Sequence, residues 1–171
     1  MSWLNRIRLA AIGCCALVLS ACSSSSSTTT FAPTLKVPLV VEASKDINVF
    51  DDEQARPVVV RVYQLQDAGN FQKADFISLY NADQSVLADS LVDLQTLAPV
   101  LPGELRNLTL DVQQQSRFIA VLVEFAHYET ATAKAYLALV SEPEEYPVYI
   151  HITKQKVELT QPVSKSWWNV F

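Results

Sequence analysis

Apolar residues recur at every second position along much of the chain, and the places where that rhythm fails mark its remaining elements. In residues 35–43, Leu35, Val37, Leu39, Val41 and Ala43 share one face, and Lys36, Pro38, Val40 and Glu42 share the other. That alternation predicts a half-buried strand. Proline cannot donate to a ladder, so Pro38 places one side of this strand at a sheet edge. Residues 57–65 (PVVVRVYQL) are the richest in β-branched side chains, with Val58, Val60 and Val62 on one face and Arg61 and Tyr63 on the other. A weaker strand covers 92–98 and ends at Pro99 and a Pro102-Gly103 turn. Leu108, Leu110 and Val112 then alternate with Asn107, Thr109 and Asp111. Residues 117–126 (RFIAVLVEFA) are apolar on both faces, which predicts a central strand. Strands at 135–140, 146–153 and 155–160 complete the set, with Val148, Ile150 and Ile152 facing inward and Tyr149 and His151 outward.

Three stretches depart from this period. Over 71–79, Phe71, Phe76 and Leu79 follow loose helical spacing, which predicts a short helix, with a second helical turn near 83–87. Both would lie on the outside of a sheet. Residues 127–134 form a polar, alanine-rich connection, with room for one helical turn. Residues 44–56 (SKDINVFDDEQAR) form a polar, acidic loop in which Ile47, Val49 and Phe50 are embedded. It far exceeds the 2–5 residues of an ordinary hairpin connection. A merely solvated loop has no need of three large apolar residues, so this one is a candidate functional element; the bland alternative is that Phe50 folds back into the core. Eight or so short strands with turn-sized gaps and one or two helices describe an all-β, antiparallel β-sandwich with helical decoration. Helices do not alternate with strands, which argues against a parallel α/β architecture.

The N-terminus carries a different signal. Arg6 and Arg8 precede an apolar run at 9–19, too short to span a bilayer but of the right length for a secretory signal. The run closes on Leu19-Ser20-Ala21-Cys22, which resembles the bacterial lipobox: small residues fit the cleavage cleft, and only a thiol accepts the diacylglyceryl group. The expected organisation is a signal peptide at 1–21, a lipidated Cys22 with a flexible tether at 22–34, and a β-sandwich domain at 35–171. The Ser/Thr run at 23–30 and Pro33 supply the tether. Residues 23–33 would span roughly 18 Å as a coil and under about 40 Å when stretched. Ser23 fits the default outer-membrane sorting case, where an Asp would indicate retention in the inner membrane.

Composition narrows the function classes. Without Arg6 and Arg8, 11 basic residues face 18 acidic ones, a net charge of −7 that argues against nucleic acid and against a basic membrane-binding patch. Cys14 and Cys15 leave with the signal and Cys22 is consumed by lipid, so the domain stands without disulfides. Gly69 and Gly103 are the only glycines beyond Cys22, which leaves no glycine-rich phosphate cradle. His127 and His151 lie far apart, with no carboxylates at metal-ligand spacing, and read as surface residues. There is no Gly-x-Ser-x-Gly elbow and no free thiol. Glu142, Glu144 and Glu145, beside Pro143 and Pro147, read as a solvated turn. No catalytic residue, metal site or cofactor is therefore expected. Trp167, Trp168 and Phe171 close the chain, either as a cap on the core, the preferred reading, or as a partner-facing patch.

Taken together, the lipobox, the Ser/Thr tether, and a strand leading through a long Asn-containing loop into Pro-Val-Val-Val-Arg-Val-Tyr-Gln-Leu resemble the type VI secretion lipoproteins, the TssJ/VasD family. Phe71 with Ala74-Asp75-Phe76 and Leu79, then Leu101-Pro102-Gly103, then the apolar strand from Arg117 to Phe125 agree with it. The resemblance implies a transthyretin-like sandwich, lipid-anchored in the outer membrane and facing the periplasm. It further implies a structural role: binding the periplasmic C-terminal region of the inner-membrane protein TssM, largely through the loop between the first two strands. Here that loop supplies Asp46, Ile47, Asn48, Val49, Phe50, Asp51, Asp52 and Glu53 as candidate contact residues. Family loops often carry a Gly shortly before the Pro-Val-Val run, where this chain reads Glu53-Gln54-Ala55-Arg56. The rival readings are a transthyretin-like periplasmic ligand-binding or chaperone lipoprotein, marked by an apolar cavity, and a lipid-anchored hydrolase, marked by perturbed carboxylates in a cleft.

Overall fold

Two four-stranded sheets face each other across a core of aliphatic side chains in the computed structural model, which describes residues 34–163. The lipobox at Cys22, the tether, and Trp167, Trp168 and Phe171 lie outside the described residues. The elements run β1 (Thr34–Ala43), β2 (Val60–Leu65), α1 (Gly69–Lys73), α2 (Phe76–Leu87), β3 (Leu91–Thr96), β4 (Leu105–Gln113), β5 (Phe118–Val123), β6 (Lys134–Ala138), β7 (Val148–Thr153) and β8 (Lys156–Thr160), with short 3-10 turns at Ala88–Ser90 and Pro143–Glu145. One sheet has the order β4-β1-β7-β8 and the other β3-β2-β5-β6. This is the β-sandwich that the alternating pattern predicts. Pairing is antiparallel throughout except between β1 and β7, which run parallel.

The edge expected from Pro38 is not there: β1 lies between β4 and β7. Pro38 stands opposite Thr109 of β4, whereas the ladder to β7 begins one residue later, at Leu39 opposite Val148. The pyrrolidine is tolerated because the second ladder has yet to start at that point. The proline thus marks the end of a ladder in the middle of a sheet.

The inward sets fill the core between the sheets as the alternation requires. Val37, Leu39 and Val41 from β1, Val60 and Val62 from β2, Ile119, Val121 and Val123 from β5, and Val148, Ile150 and Ile152 from β7 are all essentially fully buried. The outer face of the second sheet is buried too. Tyr63, Leu65, Ala120 and Leu122 meet Phe71, Leu79 and Leu87 of the helical insertion in a second apolar cluster. That double burial explains why β2 and β5 carry apolar side chains on both faces. The insertion itself divides earlier than its apolar spacing indicates. Asp75 accepts from the backbone N–H of Ser78 at 2.7 Å and so caps α2, separating it from α1; the helix kinks again at Ala82. No helical turn forms over 127–134, where the chain makes hydrogen-bonded turns instead.

Two polar contacts hold the layers in place. Arg61 on β2 reaches Glu124 through Nε at 2.7 Å, and through one terminal nitrogen meets both Asp83 at 2.9 Å and the carbonyl of Tyr80 at 3.1 Å. Tyr63 donates its hydroxyl to the same Asp83 at 3.2 Å, and burial pushes its pKa well above the ordinary phenol range. The insertion is thereby fixed over the sheet by charge as well as by apolar contact. At the other margin, the buried side chain of Gln64 joins the two sheets. Its Nε2 donates to the carbonyl of Asp111 at 2.8 Å, and its Oε1 accepts from the N–H of Gln113 at 2.8 Å and the hydroxyl of Ser116 at 3.0 Å. Replacing Gln64 by Leu keeps the volume but strands these buried partners, each worth about 1–3 kcal/mol when unsatisfied. Gln64→Leu is expected to lower unfolding free energy by about 3 kcal/mol in denaturant titration, without changing the denaturant slope.

Candidate binding surface

Four connections gather at the end of the sandwich where β1 finishes: residues 44–59, 97–104, 124–133 and 154–155. Backbone hydrogen bonds sew them together. Ala43 N–H donates to Glu104 O at 2.9 Å, Ser44 N–H to Ile152 O at 2.8 Å, Asn48 N–H to Lys154 O at 3.0 Å, and Gly103 N–H to Ser44 O at 3.0 Å. Gly103 has φ +76°, and a Cβ there would crowd the side chain of Lys45, so the Pro102-Gly103 turn requires glycine. Arg106 braces the same turn, bonding the carboxylate of Glu104 and the carbonyls of Ala98 and Pro99. Together these contacts make a rigid floor under the long loop.

The loop at 44–56 has a buried root and an exposed tip. Ile47 is 0 % exposed and belongs to the core between the sheets, so it is Ile47, and not Phe50, that folds inward. Asn48 is buried beside it with φ +49°, a left-handed conformation that Asn tolerates better than most residues. Its Nδ2 donates to Pro57 O at 3.0 Å and its Oδ1 accepts from the N–H of Ala126 at 2.8 Å. These bonds close the loop on itself and tie it to the 124–133 connection. Of the eight candidate contact residues, then, Ile47 and Asn48 shape the loop from below, Val49 is half-buried, and Asp46, Phe50, Asp51, Asp52 and Glu53 lie at the surface.

At the tip, Glu53 N–H donates to Phe50 O at 3.0 Å, closing a turn in which Glu53 itself takes φ +59°. This is where the loop departs from a glycine-bearing pattern: a Glu occupies a conformation that glycine would adopt without strain. Arg56 grips the Asp52 carboxylate with both terminal nitrogens, at 2.8 and 2.5 Å, which compensates locally. The hydrogen bond from Arg56 holds the Asp52 carboxyl at a pKa of about 2, below its usual 3.8. A depressed carboxyl pKa favours the folded loop at every pH above the ordinary value and loses that contribution as pH falls through about 2.

Phe50 is 43 % exposed and stacks on His127, with ring centroids 4.7 Å apart and planes 13° apart. The Arg56 guanidinium lies over the same ring, 5.6 Å from its centroid, and Asp51 faces the Nε2 of His127 at 3.2 Å. His127 is thus part of the tip, a role its spacing in sequence does not reveal. The next residue, Tyr128, stacks on Phe76 of α2 at 4.5 Å. Local sequence signals these partners only weakly, because they meet through the insertion lying over the sheet. His151, by contrast, stays on the outer face of β7, with Nδ1 2.9 Å from Glu42. Glu144 and Glu145 are exposed on their 3-10 turn.

The chain is similar to known proteins in sequence and in fold. A model of the type VI secretion lipoprotein family, described by the names VasD, EvfM and TssJ, matches residues 35–155. No curated protein sequence matches significantly. Among solved structures, the type VI secretion lipoprotein TssJ1 from Pseudomonas aeruginosa superposes with a TM-score of 0.66 at 24% identity, covering 78% of this chain and 100% of that one. Lip from Serratia marcescens, described as a membrane-bound component of the type VI secretion system, gives 0.66 at 25% identity, covering 77% and 99%. A chain of the structure described as the TssM C-terminal domain from EAEC gives 0.61 at 22% identity, covering 75% and 98%.

The buried root makes a separable prediction. Asn48→Ala removes both side-chain bonds, strands the Ala126 N–H and puts alanine at positive φ, for an expected loss of about 2 kcal/mol in unfolding free energy. Hydrogen exchange should show the Ala126 amide losing protection while amides of the β7–β8 ladder change only with global stability.

Proposed function

Because the chain belongs to the type VI secretion lipoprotein family, we propose that it is the outer-membrane anchor of a type VI secretion membrane complex and docks through its 44–56 loop onto the periplasmic C-terminal region of TssM. In this reading residues 1–21 are a signal peptide, Cys22 carries the lipid, and 22–34 tether the sandwich to the inner leaflet. One acyl chain binds a bilayer only marginally, with K on the order of 10⁴ M⁻¹, so stable anchoring takes the several chains of a bacterial lipoprotein.

The observation that carries the proposal is the placement of tether and loop on β1. The tether joins the chain at Thr34, the first residue of the strand, and the loop leaves after Ala43, the last. Ten residues of strand separate them by about 30 Å. A protein tethered to the membrane through Thr34 can therefore present the loop on the side away from the membrane. That is where a partner reaching across the periplasm from the inner membrane would arrive. The tip offers what such a partner can use: an exposed aromatic ring held by flanking contacts, within a ring of carboxylates. The solved structure described by the TssM C-terminal domain, which contains a chain of this fold, supports the choice of partner.

Two measurements test the two halves. Cys22→Ser is expected to yield a folded protein that no longer fractionates with outer membrane; if it still does so in cells lacking TssM, the lipid-anchor assignment is wrong. Phe50→Ala is expected to cost about 2 kcal/mol in binding to the periplasmic region of TssM by calorimetry, a value within the hot-spot range, with the protein still folded because the ring lies outside the core. Equal affinity of the two folded proteins would move the docking surface off this loop.

A further inference from the structure

We propose that the helical insertion supplies a second contact surface beside the loop, a groove that takes a partner segment bearing a large apolar side chain bracketed by lysine or arginine; the inference rests on the docking reading above. The groove, of about 330 Å³, runs between the first turns of α2 and the segment after β5, and is lined by Phe76, Ile77, Tyr80, Phe125 and Tyr128. Phe125 forms its buried floor. Phe76 stacks on Tyr128 at 4.5 Å and on Tyr80 at 5.8 Å, with ring planes within 16° of parallel in both pairs.

The inward side of α2 is already satisfied by Leu79 and Leu87, both fully buried. Ile77 and Tyr80 are left 43 % and 44 % exposed, on the same helix and three residues apart. Tyr80 is also held in place: its carbonyl accepts from Arg61, whose guanidinium lies 5.2 Å over the ring. Aromatic side chains that are fixed before binding lose little entropy when a partner covers them.

Charge selects the occupant. Arg61 is neutralised by Asp83 and Glu124, and the ammonium of Lys134 is turned onto the carbonyls of Phe71 and Ala74. The remaining charged groups at the mouth are the carboxylates of Asp75 and Glu129, which form no ion pair among the described residues. An apolar slot with an acidic rim favours an apolar anchor flanked by cations and disfavours an acidic segment. The groove is also continuous with the loop tip, since Phe50 stacks on His127 and Tyr128 follows directly. One partner segment can therefore engage both.

Titration of the protein with the periplasmic region of TssM tests this with two variants. Ile77→Asp should weaken binding about tenfold or more at unchanged melting temperature. Glu129→Lys should weaken it about threefold at low salt, and the difference should vanish near 1 M salt, where the Debye length is about 3 Å. If wild type binds, Phe50→Ala binds less, and both groove variants bind like wild type, the groove assignment is overturned while the loop stands. If wild type does not bind at all, the docking reading falls and this inference with it. A wild-type dimer in sedimentation that Ile77→Asp dissolves, at unchanged affinity for TssM, would make the occupant a second copy of this chain and equally overturn the proposal.

Discussion

Everything at the loop end of this sandwich is positioned by one strand held on both sides. β1 is paired with β4 over nine register positions, from Thr34 to Glu42, and with β7 over five, from Leu39 to Ala43. Its inward residues Val37, Leu39 and Val41 are among the most deeply buried in the core. A strand at the N-terminus of a domain is often an edge and easily frayed. Here its central place gives β1 a hydrogen-bonded neighbour on each side.

The loop that follows β1 combines two requirements that usually conflict. Long surface loops are costly to order, and an exposed aromatic residue on a mobile loop would lose much of its binding energy in being fixed. The conflict is resolved by dividing the loop. Ile47 is placed in the core and Asn48 satisfies a carbonyl and an N–H from two other segments, so the root is as rigid as the sandwich. The tip is then short, closed by the Phe50–Glu53 turn and by the Asp52–Arg56 pair. Two of the three non-glycine residues at positive φ among the described residues, Asn48 and Glu53, fall in this loop; the third, Ala88, ends α2.

The helical insertion extends the same arrangement to the neighbouring face. Its inner residues complete a second apolar cluster on the back of β2 and β5, and Arg61 with Asp83 and Glu124 fixes its position over the sheet. A partly buried ion network of this kind is weak evidence of added stability, because desolvation offsets much of the attraction. Its clearer consequence is orientation: it holds Tyr80 beside Phe76, which stacks on Tyr128, and so aligns the insertion with the loop end of the sandwich.

Period-two alternation by itself determined the eight strands, their inward faces and the sandwich class, because side-chain direction in a strand follows from the backbone and needs no tertiary information. The double-sided apolar run of β5 likewise announced an interior strand. The length and composition of 44–56 marked the loop as more than a connection. Strand order was beyond the same reading: Pro38 argued for an edge on local grounds, and only the offset between the two ladders, set by where β7 begins, let a proline sit in a central strand. The loop's division was equally illegible. Ile47, Val49 and Phe50 are similar in hydrophobicity, and which one is buried depends on the gap left between the sheets and on the N–H of Ala126, far along the chain, that Asn48 must satisfy. His127, Tyr128, Phe76 and Tyr80 joined the surface for the same reason, since stacking between distant segments is decided by how the layers pack and leaves no period in the sequence.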